Sequence, residues 1–252
     1  FTKTTSKSAI KILSFDNDSR LFYWVAWFTG SKNAVKGAGF FVGGILLELV
    51  GFQLALWGMA IGLGTLLLFS VVFLPKNLGR GTPSSSIQQL FSRTQNINIL
   101  SAARVFLFGA RDIFFVVGFP VFLYSNSWNF TEIGGALALW TIGYGIIQSI
   151  VPYIMPQSKN SISTMLQITK VWCWVLALIP FCVWLLLQVE LFIVNKTFIL
   201  SGLAIFGVVF AINSSLHSYL ILAFAGTKNI AENVGFYYAA NASGRLLGTL
   251  LS

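Results

Sequence analysis

Residues 29–44 read Thr-Gly-Ser-Lys-Asn-Ala-Val-Lys-Gly-Ala-Gly-Phe-Phe-Val-Gly-Gly. They put Lys32 and Lys36 inside the apolar run 21–50, one helical turn apart and on one face. A cation at the middle of a bilayer costs roughly 2.5–3.5 kcal/mol, so an anion or water is expected opposite. Gly37, Gly39, Gly43 and Gly44 strip the same stretch of bulk. Another helix or a ligand can therefore approach its backbone closely.

The whole chain fits a membrane reading. Of 252 residues, 56% are hydrophobic and only 9% are charged, and the mean hydropathy is +0.79. A soluble domain carries about 25% charged residues. Apolar runs of about 20 residues, enough to cross a ~30 Å hydrocarbon core as helices, recur along the length. The runs lack the strict alternation of an outer-membrane barrel. The net charge of +9 lies in loops and at a few intramembrane positions, which argues against a nucleic-acid partner. Cys173 and Cys182 share one apolar run with no His or carboxylate nearby in sequence, and read as small core residues with no metal or redox role. The chain begins at Phe1 without Met and stops at Ser252 inside a hydrophobic segment. It reads as part of a longer transporter.

Seven spans are expected, at about 21–50, 52–74, 99–124, 131–154, 168–189, 197–225 and 231 onward. Gly51 separates the first two, and Pro75 ends the second. Residues 76–98 form the longest polar connection and divide the chain into two parts, 1–75 and 99–252. The segments 1–20, 76–98 and 156–160, with Lys228, are basic. They alternate with 48–53, 125–132 and 190–196, which carry three glutamates and one lysine. The basic set, including the central loop, is therefore expected on the cytoplasmic side. Spans two and five are almost wholly apolar and contain Trp57, Trp172, Trp174 and Trp184, so they are expected to face lipid. The other charged and polar spans imply a bundle around a wet interior.

Arg104 and Arg111 are two turns apart on the third span, and Asp112 follows directly. Arg245 lies deep in the last span beside the small residues Ala242, Gly244 and Gly248. Each arginine has two readings. Arg111 or Arg245 can pair with Asp112 to fix packing, and Arg104 can snorkel toward water. Alternatively, all three line a substrate cavity. Five cations (Lys32, Lys36, Arg104, Arg111, Arg245) face one clear intramembrane anion, Asp112. That imbalance favours the cavity, because unpaired charge in lipid would cost on the order of 10 kcal/mol. Arginine's planar fork suits phosphate-like oxyanions, and lysine adds a point charge. Asp112, His217 and Glu232 are candidates for proton coupling or charge pairing. Lys228 and Glu232, four apart, also read as a surface pair, and His217 as a core hydrogen-bonder.

No Ser–His–Asp set, carboxylate pair or metal-ligand spacing converges in the spans, so no enzyme, cofactor or metal is expected. Gly37, Gly39 and Gly43 miss the dinucleotide fingerprint by one residue, and no strand precedes them.

Residues 29–44, 99–112 (ILSAARVFLFGARD) and 138–145 (ALWTIGYG) resemble the organoarsenical efflux permeases (ArsJ) of the major facilitator superfamily. The resemblance implies an all-α polytopic bundle of two six-helix halves joined by a cytoplasmic loop, in a bacterial inner membrane. On that plan this chain holds helices five to eleven, and its two apolar spans are the peripheral helices six and nine. It also implies a role in arsenate resistance. A glyceraldehyde-3-phosphate dehydrogenase makes 1-arseno-3-phosphoglycerate, and the permease exports it. The residue assignments rest on the charge argument and not on a family motif. Two other readings stay open. One is a carrier of another organic phosphate or organic anion. The other is a non-transporting structural or receptor subunit whose cations pair with a partner's acids.

Overall fold

The computed structural model describes residues 10, 18–73, 94–155, 162–188, 196–225 and 230–252. All regular structure among them is helical: α1 (Asp18–Phe73), α2 (Gln95–Asp112), a π-helical segment (Ile113–Gly118), α3 (Phe119–Ser125), α4 (Phe130–Ile154), α5 (Ile162–Leu187), α6 (Lys196–Phe224) and α7 (Ile230–Leu251). Five helices are long and apolar enough to cross a membrane: Arg20–Phe73, Gln95–Ser125, Phe130–Ile154, Ile162–Leu186 and Leu200–Phe224. At 1.5 Å per residue, the 25 residues of α4 extend about 37 Å, more than a ~30 Å core requires. The terminal helix α7 has the length, but Glu232, Asn233, Asn241 and Arg245 keep it out of that apolar set.

Gly51 interrupts α1 at φ 76° and ψ 171°, a backbone conformation open to glycine and almost nothing else. The expected break between the first two apolar runs is therefore real. Residues 52–73 beyond it are exposed almost throughout, with Ala55 the buried exception. The almost wholly apolar composition of that stretch matches its position. In α5, Trp174 and Trp184 are exposed, while Trp172 packs inward against the core.

Two boundaries differ from the sequence reading. Residues 95–98, expected in the central loop, form the first turn of α2; the rest of that loop described here is Thr94. Helix α5 begins at Ile162, six residues before the expected apolar start. Its polar first turns hold because Met165 and Thr169 are buried there, and the Thr169 hydroxyl donates to the Met165 carbonyl at 2.7 Å. Hydropathy marks the membrane-crossing part of a helix and misses a polar extension of this kind. The segments 1–9, 11–17, 74–93, 156–161, 189–195 and 226–229, and with them Lys228, lie outside the described residues.

Helix α6 is central: it packs against α1, α2, α4, α5 and α7. Every residue from Val209 to Leu222 is buried, including Asn213, Ser214, Ser215, His217 and Ser218. The helix is therefore enclosed on all sides, and its polar residues are buried over a broad arc.

Two glycine seams hold the other pairs together. Along α1, Gly30, Gly37 and Gly44 recur every seven residues against Gly145, Ala138 and Phe130 of α4. The descending partner numbers make the pair antiparallel. A Cβ on Gly30 would sit 2.3 Å from the Gly145 carbonyl oxygen, and one on Gly44 would sit 2.5 Å from that of Phe130. Only glycine permits this approach. Gly39 and Gly43, expected to share the role, meet open space among the described residues. At the end of this seam, Glu48 Oε2 accepts from the Thr131 backbone N–H at 2.9 Å, which puts segments 48–53 and 125–132 at the same end of the bundle. Asn129 caps α4 in a capping box with Glu132.

The second seam joins α2 to α7 in parallel. Gly244 abuts Val105 and Gly248 abuts Gly109, where added Cβ atoms would lie 2.2 and 2.4 Å from carbonyl oxygens. This is the close small-residue contact expected of the last span. Ala242 is exposed and takes no part.

Candidate functional site

The α2–α7 seam sets the positions of the three arginines. Asp112 is completely buried, and its two carboxylate oxygens serve different partners. Oδ1 accepts from Arg111 Nε at 2.6 Å, and Oδ2 accepts from Arg245 Nε at 2.7 Å. Arg111 also lies over Phe108 and Phe210, with its guanidinium carbon 4.6 and 5.4 Å from the ring centroids. Arg111 is buried as a side chain, whereas Arg245 is 41% exposed. Asp112 therefore ties its own helix to α7 by charge just where the glycines bring the backbones together.

The helix changes character immediately afterwards. Residues 113–118 are π-helical. Pro120 follows with no N–H to give the ladder, and within the segment the Ser252 hydroxyl inserts between Ile113 and Gly118. It donates to the Ile113 carbonyl at 2.6 Å and accepts from the Gly118 N–H at 3.2 Å. A side chain entering the ladder is a recognised cause of such a bulge, and π segments are often found at functional positions.

Arg104, two turns earlier on the same face, is only 4% exposed. It does not snorkel to the surface. Its Nε donates to Asn241 Oδ1 at 3.2 Å, and a terminal nitrogen donates to Ser214 Oγ at 3.4 Å. The guanidinium carbon is 3.9 Å from the Phe108 ring centroid and 5.0 Å from that of Tyr237. Tyr144 donates to the same Ser214 oxygen at 2.9 Å. Among the described residues Arg104 has no carboxylate partner. Among the described residues, neutral dipoles and aromatic faces compensate its charge.

Unsatisfied groups gather on the same helices. Ser101 Oγ, Gln148 Nε2, His217 Nδ1, Ser218 Oγ and Tyr237 Oη are buried without a hydrogen-bond partner among the described residues. They come from α2, α4, α6 and α7. Buried polar atoms of this kind ordinarily find protein, water or ligand partners.

Of the residues singled out by sequence, the structure brings Arg111, Arg245 and Asp112 into one cluster and places Arg104 beside it. Lys32, half-buried, and Lys36, exposed with its ammonium 5.2 Å from the Phe40 ring centroid, stand on α1. That helix packs on α4 and α6, whereas the arginines belong to α2 and α7. His217 is buried in α6, and its Nε2 lies 4.0 Å from Cys173 Sγ. The sequence placed no histidine near either cysteine; the fold brings one to Cys173. Glu232 is half-buried in the first turn of α7.

Sequence reasoning missed Tyr144, Ser214 and Asn241 around Arg104. Only Ser214 carried a signal, as part of the polar run 213–217.

The described residues form an all-helical structure whose long apolar helices are compatible with a helical membrane protein. Compared with family models, curated proteins and solved structures, the chain matches none.

Proposed function

We propose that the protein is a carrier, not an enzyme, that moves a multiply charged organic anion across a bacterial inner membrane by alternating access. The observation that supports this reading is Arg104, a buried guanidinium with no acid partner among the described residues. Such a group costs several kcal/mol unless something anionic or aqueous meets it. Around Asp112 three arginines against one aspartate leave two positive charges, a balance suited to a dianion, with Glu232 apart in the first turn of α7. Asp112 takes up Arg111 and Arg245 through their Nε atoms, which leaves Arg104 to meet the oxyanion. Lys32 and Lys36 would contribute from the other half as the two halves tilt about the site. On the resemblance drawn above, the solute is 1-arseno-3-phosphoglycerate, supplied by a glyceraldehyde-3-phosphate dehydrogenase, and the outcome is arsenate resistance with the central loop cytoplasmic.

Everted membrane vesicles containing the protein test this proposal. Arsenate, glyceraldehyde 3-phosphate, NAD and the dehydrogenase are supplied outside, and arsenic accumulation inside is followed. Accumulation only with the complete mixture supports export of the arsenylated ester. Accumulation with arsenate alone makes the protein an inorganic oxyanion carrier. No accumulation in either case removes arsenic from the proposal and leaves another organic phosphate as the solute.

A further inference from the structure

We propose that the cavity between the π segment, α5 and α6 is a binding site for one acyl chain of a membrane phospholipid. The cavity measures about 520 Å³, within the roughly 300–1,000 Å³ range of small-molecule sites. Phe114 and Gly118 of the π segment, with Phe119 of α3, form one wall. Pro180 and Trp184 of α5 form a second, and Gly202 with its neighbours on α6 a third.

The lining selects the occupant. Its twelve residues are apolar or glycine, and the Trp184 indole N–H is the one side-chain hydrogen-bonding group among them. Water or a polar solute would find almost no partners there, whereas hydrocarbon would make dispersion contacts with every wall. Phe119 is 6% exposed, but Phe114 and Trp184 are 53% and 54% exposed, so the cavity runs from a buried wall to an open rim. Leu178 and Phe181, preceding Trp184 at helical spacing along α5, are exposed with it, and this apolar flank suits contact with bilayer lipid. The apolar molecules that reach such a rim inside a membrane are phospholipid chains, entering sideways.

Glycine keeps the space open. At Gly30, Gly44, Gly244 and Gly248 a Cβ would collide with backbone, so close helix packing requires glycine there. Gly202 is different. An added Cβ would meet, among the described residues, Val183 Cγ2 at 3.7 Å, an ordinary contact, and the backbone at 202 is not left-handed. Neither packing nor conformation demands glycine at 202; what it does there is leave the cavity unfilled by side chain. Because Phe114 and Gly118 belong to the π segment, an occupying chain also braces the turn that follows Asp112.

The test uses the purified intact protein in detergent micelles, with phosphatidylethanolamine carrying a photoreactive diazirine midway along one acyl chain. After irradiation, peptide mass spectrometry locates the adducts. Labelling is expected at Phe114, Phe119 and Trp184 ahead of the exposed stretch 52–73, which meets lipid without a cavity. Unlabelled phosphatidylethanolamine should compete at the cavity, and the same lipid should raise the unfolding midpoint. Gly202→Leu puts a side chain into the space, so cavity labelling should fall at least about tenfold and the lipid-dependent rise should disappear. The wild-type adduct map needs no variant to fold. Adducts on 52–73 alone, cavity labelling that unlabelled lipid does not displace, or labelling unchanged in a folded Gly202→Leu protein would each overturn the assignment.

Discussion

Arg104 and Arg111 lie on one face of α2, two turns apart, yet their surroundings are opposite. Arg111 shares Asp112 with Arg245 in a closed, charge-paired cluster. Arg104 is as deeply buried and, among the described residues, meets an asparagine, a serine and two aromatic rings but no acid. The contrast separates two uses of a buried cation. A paired arginine holds helices together, and removing its partner is expensive. An arginine left without an acid contributes little to holding the fold and remains available to a ligand. The cluster around Asp112 is assigned to structure, and Arg104 with its neutral neighbours to recognition.

The largest expected effect tests the paired side. Asp112→Asn strands two arginines and should lower stability by about 3–5 kcal/mol, read as a fall in the unfolding midpoint in detergent. Next comes the seam that positions the cluster. In Gly248→Val, side-chain atoms press on the Gly109 carbonyl and should cost about 1–3 kcal/mol in the same measurement. Transport should fall with it, because α7 carries Asn241 and Tyr237, which hold Arg104. Arg104→Gln reverses the pattern. Its stability should stay within about 1 kcal/mol of wild type, because an uncompensated buried charge is removed along with its hydrogen bonds. Anion affinity should drop about 10–150-fold, the value of one charge-assisted contact of roughly 1.5–3 kcal/mol. The smallest effect belongs to Gly43→Ala, where the added methyl meets open space among the described residues. Neither stability nor transport should decline. A stability loss for Arg104→Gln as large as that for Asp112→Asn would erase the distinction between the two arginines.

What the sequence revealed follows the physics of each signal. Apolar runs and the glycine at 51 depend on local composition, and they located the membrane-length helices and the break in α1. The glycines of α7 announced a close helix contact because no other residue type allows one, although their partners Val105 and Gly109 carried no mark of their own. The Asp112–Arg245 pair spans 133 positions, and Cys173 and His217 are 44 apart. Such pairings are made by the fold and have no sequence period. The run 213–218 misled in a more instructive way. Only His217 was read there, as a core hydrogen-bonder, but α6 is enclosed by five neighbours and buries Asn213, Ser214, Ser215 and Ser218 with it. The π segment gave no warning beyond Pro120, because it also depends on a hydroxyl contributed from Ser252.

The central claim is that Arg104, and not the arginines held by Asp112, is the cation kept free for the anion. The most direct measurement compares solute accumulation in everted vesicles carrying wild type, Arg104→Gln and Arg104→Lys at matched protein levels, with unfolding midpoints recorded for each. The account predicts that Arg104→Gln folds normally and accumulates nothing above background. Arg104→Lys should retain part of the activity, since charge is kept but the planar fork is lost. Wild-type accumulation by a stable Arg104→Gln protein would contradict it.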